Sequence, residues 1–203
     1  MSSARLNDSA EPITVVSGLP RSGTSLMMQL LGAGGLFLLT DGVRGPDIDN
    51  PRGYFEYEPV KRLERDCDWI ELARGKAVKV ISSLLPSLPP GLRYQVLLML
   101  RPIEEILASQ RAMLERSGRA AATFEDDGLG ASFARELDRV RRWLAEQEKV
   151  RVLELDYTAL VASPRAGVEA IVRFLGRPLD PVRMAAAVDP ALYRQRNSLE
   201  RVV

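Results

Sequence analysis

Residues 13–31, ITVVSGLPRSGTSLMMQLL, constrain the fold more than any other stretch. ITVVS (13–17) is a short β-branched apolar run, and residues 23–35 read as a helix that ends in glycines. A strand that passes through a glycine-framed turn straight into a helix aims backbone N–H groups at an anion. GLPRSGTS (18–25) fits G-x-x-x-x-G-x-[ST], one residue away from the nucleoside-triphosphate loop G-x-x-x-x-G-K-[ST]. Thr24 stands where the lysine would be, and Arg21 brings a fixed positive charge into the loop three residues earlier. Ser22, Thr24 and Ser25 add hydroxyl donors. Loss of the lysine argues against a clamp on β- and γ-phosphates. A magnesium carboxylate is also missing: the apolar strand VLLML ends in Arg101, and Asp156 reads as a surface residue at a strand end. The loop is therefore expected to hold an anion with less charge than a triphosphate. A sulfuryl group carries one negative charge where a terminal phosphoryl carries two, so it needs less help from a metal, and no metal site is expected.

The rest of the chain alternates strands and helices. Strands are expected over 76–82, 94–100 and 149–157, and helices over 59–73, 102–118, 163–176 and 180–188. Phe133, Leu137, Val140 and Leu144 mark a further amphipathic helix whose stripe should pack into the core. Residues 39–58, 83–92 and 119–130 read as loops, the last as a mobile lid, and 189–198 as an irregular basic tail. The fully apolar YQVLLML (94–100) suits the middle of a parallel sheet. The fold class is α/β: a P-loop-type three-layer α/β/α arrangement around a mainly parallel central sheet. Residues 1–12 read as a flexible lead-in and 13–203 as a single domain.

Composition narrows the chemistry. The 203 residues include no histidine, so serine–histidine triads and most zinc hydrolases are excluded. One cysteine, Cys67, allows neither an intrachain disulfide nor a cysteine-based zinc site. The net charge of +1 gives no footprint for nucleic acid or an anionic membrane. No apolar run approaches a membrane span and the first residues are no secretory signal, so a cytoplasmic location is expected.

PRSGTS (20–25) and LMLRPIEEILAS (98–109) together resemble the signatures of the PAPS-dependent sulfotransferases, in a bacterial, histidine-free branch. The resemblance runs over about residues 13–176. It implies that Pro20, Arg21, Ser22, Gly23, Thr24 and Ser25 hold the 5′-phosphosulfate of PAPS, and that Arg101 and Ser109 hold its 3′-phosphate. It further assigns Lys79, in VKVISSLLPSLP (78–89), to the leaving-group side, and Arg196 of the late basic tail, with Arg194, to the 3′-phosphate. VLELDYTALVASPRAGVEAIVRFLG (152–176) looks like the family's closing strand–helix unit. One departure stands out: the position of the cytosolic members' catalytic histidine, two after the lysine, is Ile81. Other branches use a glutamate from another segment. DNPRGYFEYEPVK (49–61) offers Glu56 and Glu58, of which at most one is expected to be the base. Glu56 is preferred.

The resemblance thus implies a sulfotransferase that moves a sulfuryl group from PAPS to a hydroxyl or amine of a small-molecule acceptor, without a metal. Two other readings remain open: a P-loop ATP-dependent kinase or NTPase, and a non-catalytic nucleotide-binding module of the same fold. Tyr157 is a candidate surface for the donor's adenine, although a core role suits it better.

Overall fold

The structure is a computed structural model that describes residues 11–116 and 126–193. Strands β1 (Ile13–Gly18), β2 (Ala77–Lys79), β3 (Tyr94–Leu100) and β4 (Val150–Asp156) form a parallel sheet in the order β2-β1-β3-β4. Helices α1 (Thr24–Ala33), α2 (Ile103–Arg116), α3 (Asp126–Ala145), α4 (Tyr157–Ala162), α5 (Pro164–Leu175) and α6 (Pro181–Ala186) surround it. The expected α/β class with a parallel sheet is what the chain adopts.

Strand alternation builds the layers. Val16, Ala77, Leu97 and Met99 point to one face and pack with Met27 and Leu31 of α1, Ile171 of α5 and Met184 of α6. Val15, Val78, Val96 and Leu98 point to the other, against Val60, Trp69, Ile70, and Val140 and Leu144 of α3. Every residue of β1 is buried, Thr14 and Ser17 included, so both faces of this strand are covered, as in a central parallel strand. The predicted stripe on α3 is core: Phe133, Val140 and Leu144 are buried.

Several expected elements differ in detail. Residues 59–73 are not one helix but two 3-10 turns, Glu58–Arg62 and Asp68–Ala73. Asp66 Oδ1 accepts from the Asp68 N–H, and such a local side-chain bond competes with helix continuation. The second strand is only Ala77–Lys79, since the chain turns into a 3-10 segment at Ser82–Ser87. Asp126–Gly130, expected in a loop, start α3; residues 117–125 lie outside the described residues. Helix α4 was not anticipated: Asp156 caps it, its Oδ1 accepting from the Ala159 N–H at 2.7 Å. Gly176 closes α5 in the left-handed conformation, as its position implied.

In a parallel sheet all carboxyl ends lie along one edge. β1 is flanked there by β2 on one side and β3 on the other, the arrangement that opens a crevice. Register places Gly18 beside Met99, and Val16 beside Lys79. A Cβ on Gly18 would lie 2.6 Å from the Met99 carbonyl oxygen and 2.4 Å from Ser22 Oγ, with φ already at +151°. Gly18→Ala should therefore lose about 2 kcal/mol or more of unfolding free energy in urea titration. A loss below about 0.5 kcal/mol would show that this corner relaxes freely.

Candidate functional site

The loop between β1 and α1 is held from beneath. The Tyr157 ring lies so close to Gly23 (φ +102°) that a Cβ there would meet it at 2.4 Å. Tyr157 is thus a packing residue under the loop, with its ring edge-to-face on Tyr193 at 5.2 Å. Arg21 adopts φ +69°, a conformation that costs a non-glycine residue about 1 kcal/mol. Its carbonyl accepts from Arg101 Nη1 at 3.2 Å, which pins the turn. No side chain caps the start of α1, so the helix presents its first N–H groups to the crevice.

Two sequence-distant motifs meet over this loop. Arg21 Nε donates to Ser109 Oγ at 3.0 Å, across 88 residues of chain. Ser109 and Arg101 lie on adjoining parts of the β3–α2 corner. The Arg101 guanidinium stands over the Tyr157 ring at 4.7 Å and over Tyr193 at 5.3 Å. Its Nε donates to Glu105 Oε2 at 2.9 Å.

The third wall comes from β2 and the irregular segment 47–56. Lys79 Nζ donates to the Tyr54 carbonyl at 3.1 Å and to Ser25 Oγ at 3.3 Å, and lies 3.9 Å from Glu56 Oε1. Asn50 Nδ2 donates to the same Ser25 Oγ at 2.8 Å. Glu56 also pairs with Arg44 at 3.0 Å, while Arg44 stacks on the Tyr54 ring at 3.3 Å. Glu58 is turned away: it pairs with Lys61 at 2.5 Å on the surface. Phe55 sits at φ +53° between Tyr54 and Glu56. With Arg21 it is one of two non-glycine residues at positive φ among the described residues.

These walls enclose a cavity of about 300 Å³. Pro20, Arg21, Gly23, Thr24, Ser25, Glu56, Lys79, Arg101 and Ser109 all line it, as does Ile81. Ser22 is buried behind the loop against Gly18 and is not part of the lining. Arg194 and Arg196 lie outside the described residues. Sequence reasoning missed Arg44, Asp49, Asn50 and Arg116. Arg116 Nε donates to Asp49 Oδ1 at 2.9 Å, which closes segment 47–56 onto α2. The spacing of Ser109 and Arg116 on one helix face was the available signal for that residue.

Lys79 is the cation most altered by its surroundings. Burial pushes its pKa down from 10.5 to about 8; Glu56 pulls it back up, and Arg44 and Arg21 add to the lowering. Tyr54 is shifted up by burial and by its hydrogen bond to Asp47.

Residues 93–181 match the family described as "Sulfotransferase family". The fold is similar to that of the sulfotransferase STF1 from Mycobacterium tuberculosis H37Rv, with a TM-score of 0.58, 20% identity and coverage of 91% of this chain and 73% of that one. It is also similar to a sulfotransferase domain from the curacin biosynthetic pathway, with a TM-score of 0.53, 14% identity and coverage of 93% and 92%. A third is the sulfotransferase domain of the Synechococcus PCC 7002 olefin synthase, with a TM-score of 0.50, 17% identity and coverage of 94% and 90%. No curated protein sequence matches the chain significantly. The resemblance is borne out over residues 93–181, which include the β3–α2 corner, by the family match, and in its fold by the sulfotransferase neighbours. Among the described residues no helix is long and apolar enough to cross a membrane.

The Lys79 shift gives a signed prediction. Its folded-state value lies below the unfolded one, so the cost of burying the cation is fully present at pH 7. That cost is relieved between about pH 8 and 10.5, where the folded state sheds its proton first. In urea titrations the wild type should gain roughly 2–3 kcal/mol relative to Lys79→Met over that range. Parallel pH profiles would show that Lys79 is not desolvated.

Proposed function

We propose that this chain transfers a sulfuryl group from PAPS to a hydroxyl or amine of a small-molecule acceptor. The observation that carries the reading is the convergence of Arg21 and Ser109 at 3.0 Å, with Lys79 on the opposite wall of the same cavity. Two motifs about 80 residues apart and one strand-end lysine then face a single anionic ligand. PAPS supplies the activated sulfuryl group. Thr24, Ser25 and the N–H groups at the start of α1 grip the 5′-phosphosulfate, and Arg101 and Ser109 take the 3′-phosphate. No metal enters this scheme.

The acceptor oxygen or nitrogen attacks sulfur in line as the bond from sulfur to the bridging phosphate oxygen breaks. Negative charge grows on that leaving oxygen, where Arg21 and Lys79 offset it. Fixed donors of this kind stabilise a transition state because they need no rearrangement as charge develops. The acceptor's proton passes to a carboxylate. Glu56 fits that role, since it faces the cavity 3.9 Å from Lys79, whereas Glu58 is engaged with Lys61 outside it. The same Lys79 must be charged to act, so kcat/KM for the donor, which reports the ligand-free enzyme, should decline as pH rises beyond about 8.

Two measurements test this reading. PAP at about 100 times its dissociation constant should stabilise the fold by ~2.7 kcal/mol. AMP, which lacks the 3′-phosphate, should do much less at equal concentration. Stabilisation by ATP with magnesium and none by PAP would replace the proposal with a kinase or NTPase. With PAPS and a panel of phenols, alcohols and amines, Glu56→Gln should lower turnover by about 100-fold or more. Glu58→Gln should stay within about twofold of wild type. Equal losses in the two variants, or none, would remove Glu56 as the base. PAP binding with no transfer to any acceptor would favour a non-catalytic binding module.

A further inference from the structure

The scheme above leaves one buried carboxylate without a task. Glu105, in the first turn of α2, is 4% exposed and forms an ion pair with Arg101, whose side chain is 7% exposed. Arg101 Nε donates to Glu105 Oε2 at 2.9 Å, and Tyr193 Oη donates to Oε1 at 2.7 Å. The Tyr193 hydroxyl also lies 3.1 Å from Thr158 Oγ1. The carboxylate is therefore fixed on both oxygens against the guanidinium that lines the cavity.

We infer that Glu105 is a positioning residue that tunes the grip on the nucleotide's 3′-phosphate, holding affinity for the product nucleotide below what Arg101 alone would give. The inference rests on the reading of Arg101 as the 3′-phosphate ligand. Two effects push the same way. A phosphate that reaches Arg101 also meets the field of a carboxylate a few ångströms behind it, in surroundings that screen charge poorly. In the empty site the carboxylate already compensates the buried guanidinium, so the phosphate relieves no unpaired charge when it binds. Without the carboxylate, the charge of the buried guanidinium in the empty site would be less compensated, and an incoming phosphate would gain more by neutralising it. The pair keeps Arg101 aimed, with Nη1 on the Arg21 carbonyl, while limiting how tightly the spent nucleotide is retained.

Calorimetric titration of the full chain with PAP and with AMP tests this. Glu105→Gln keeps the shape and removes the charge. It should bind PAP about tenfold more tightly than wild type. Its affinity for AMP should stay within about twofold, while its melting temperature without ligand falls. A role in packing alone predicts weaker binding of both nucleotides. Unchanged or weaker PAP affinity in Glu105→Gln overturns the inference. If that variant does not fold, Glu105→Asp carries the test, because it withdraws the carboxylate by one methylene and should shift PAP affinity the same way by less. A wild-type protein that binds no PAP overturns the functional reading and this inference with it. A wild type that binds PAP beside a Glu105 variant that binds no better overturns the inference alone.

Discussion

The close approach of Gly18 to the Met99 carbonyl governs the carboxyl edge of the sheet. It lets β1 run in register with β3 to its last residue, so that the turn toward α1 starts level with the turn toward α2. Because the two turns are level, the Arg101 guanidinium reaches the Arg21 carbonyl, and the Arg21 guanidinium reaches Ser109. A side chain at position 18 would push the strands apart, and every one of these contacts would lengthen. The cavity is in this sense a by-product of one backbone approach that glycine permits.

The site also shows how stability is given up for chemistry. Lys79 is buried with a depressed pKa, and Arg21 and Phe55 hold backbone conformations that non-glycine residues avoid. Each is a local cost, and each is held by its neighbours: Tyr54 and Ser25 hold Lys79, Arg101 holds Arg21, and Phe55 packs against the hydrophobic cluster that includes α1. The apolar layers on the two faces of the sheet supply the free energy against which these costs are set.

What was legible in the sequence follows a physical line. The loop could be read because glycines, hydroxyls and a β-branched strand occur together in a short span, where local sterics decide the geometry. Arg101 and Ser109 could be read because their separation is set by one strand end and one helix. Asp156 as the cap of α4 was also local, but an acidic residue at a strand end has several uses and the pattern does not choose among them. Segment 47–56 was legible as irregular and as the source of Glu56, but its contacts were not. Its Asn50 and Asp49, and Arg44 just before it, find partners on α1, on α2 and in the segment itself through tertiary placement, which spacing does not encode. Glu105 was hidden for another reason. An acidic residue in a first helical turn is ordinary, since it suits the helix dipole, and Glu104 beside it is equally suited. Only the fold distinguishes the one that faces Arg101.

The bond between Arg21 and Ser109 spans 88 residues, and β1 pairs with strands that follow it by about 60 and 80 residues in the chain. Parallel pairing of that kind closes long loops before any contact rewards the closure. The turn between β1 and α1 therefore cannot acquire its shape as a local hairpin does. It is complete only once β3 and α2 are docked. Any species that has collapsed without that docking carries an arginine-bearing loop and no pocket. On the function proposed above, nucleotide binding would report on completion of the whole topology and serve as a folding probe as well as a functional one.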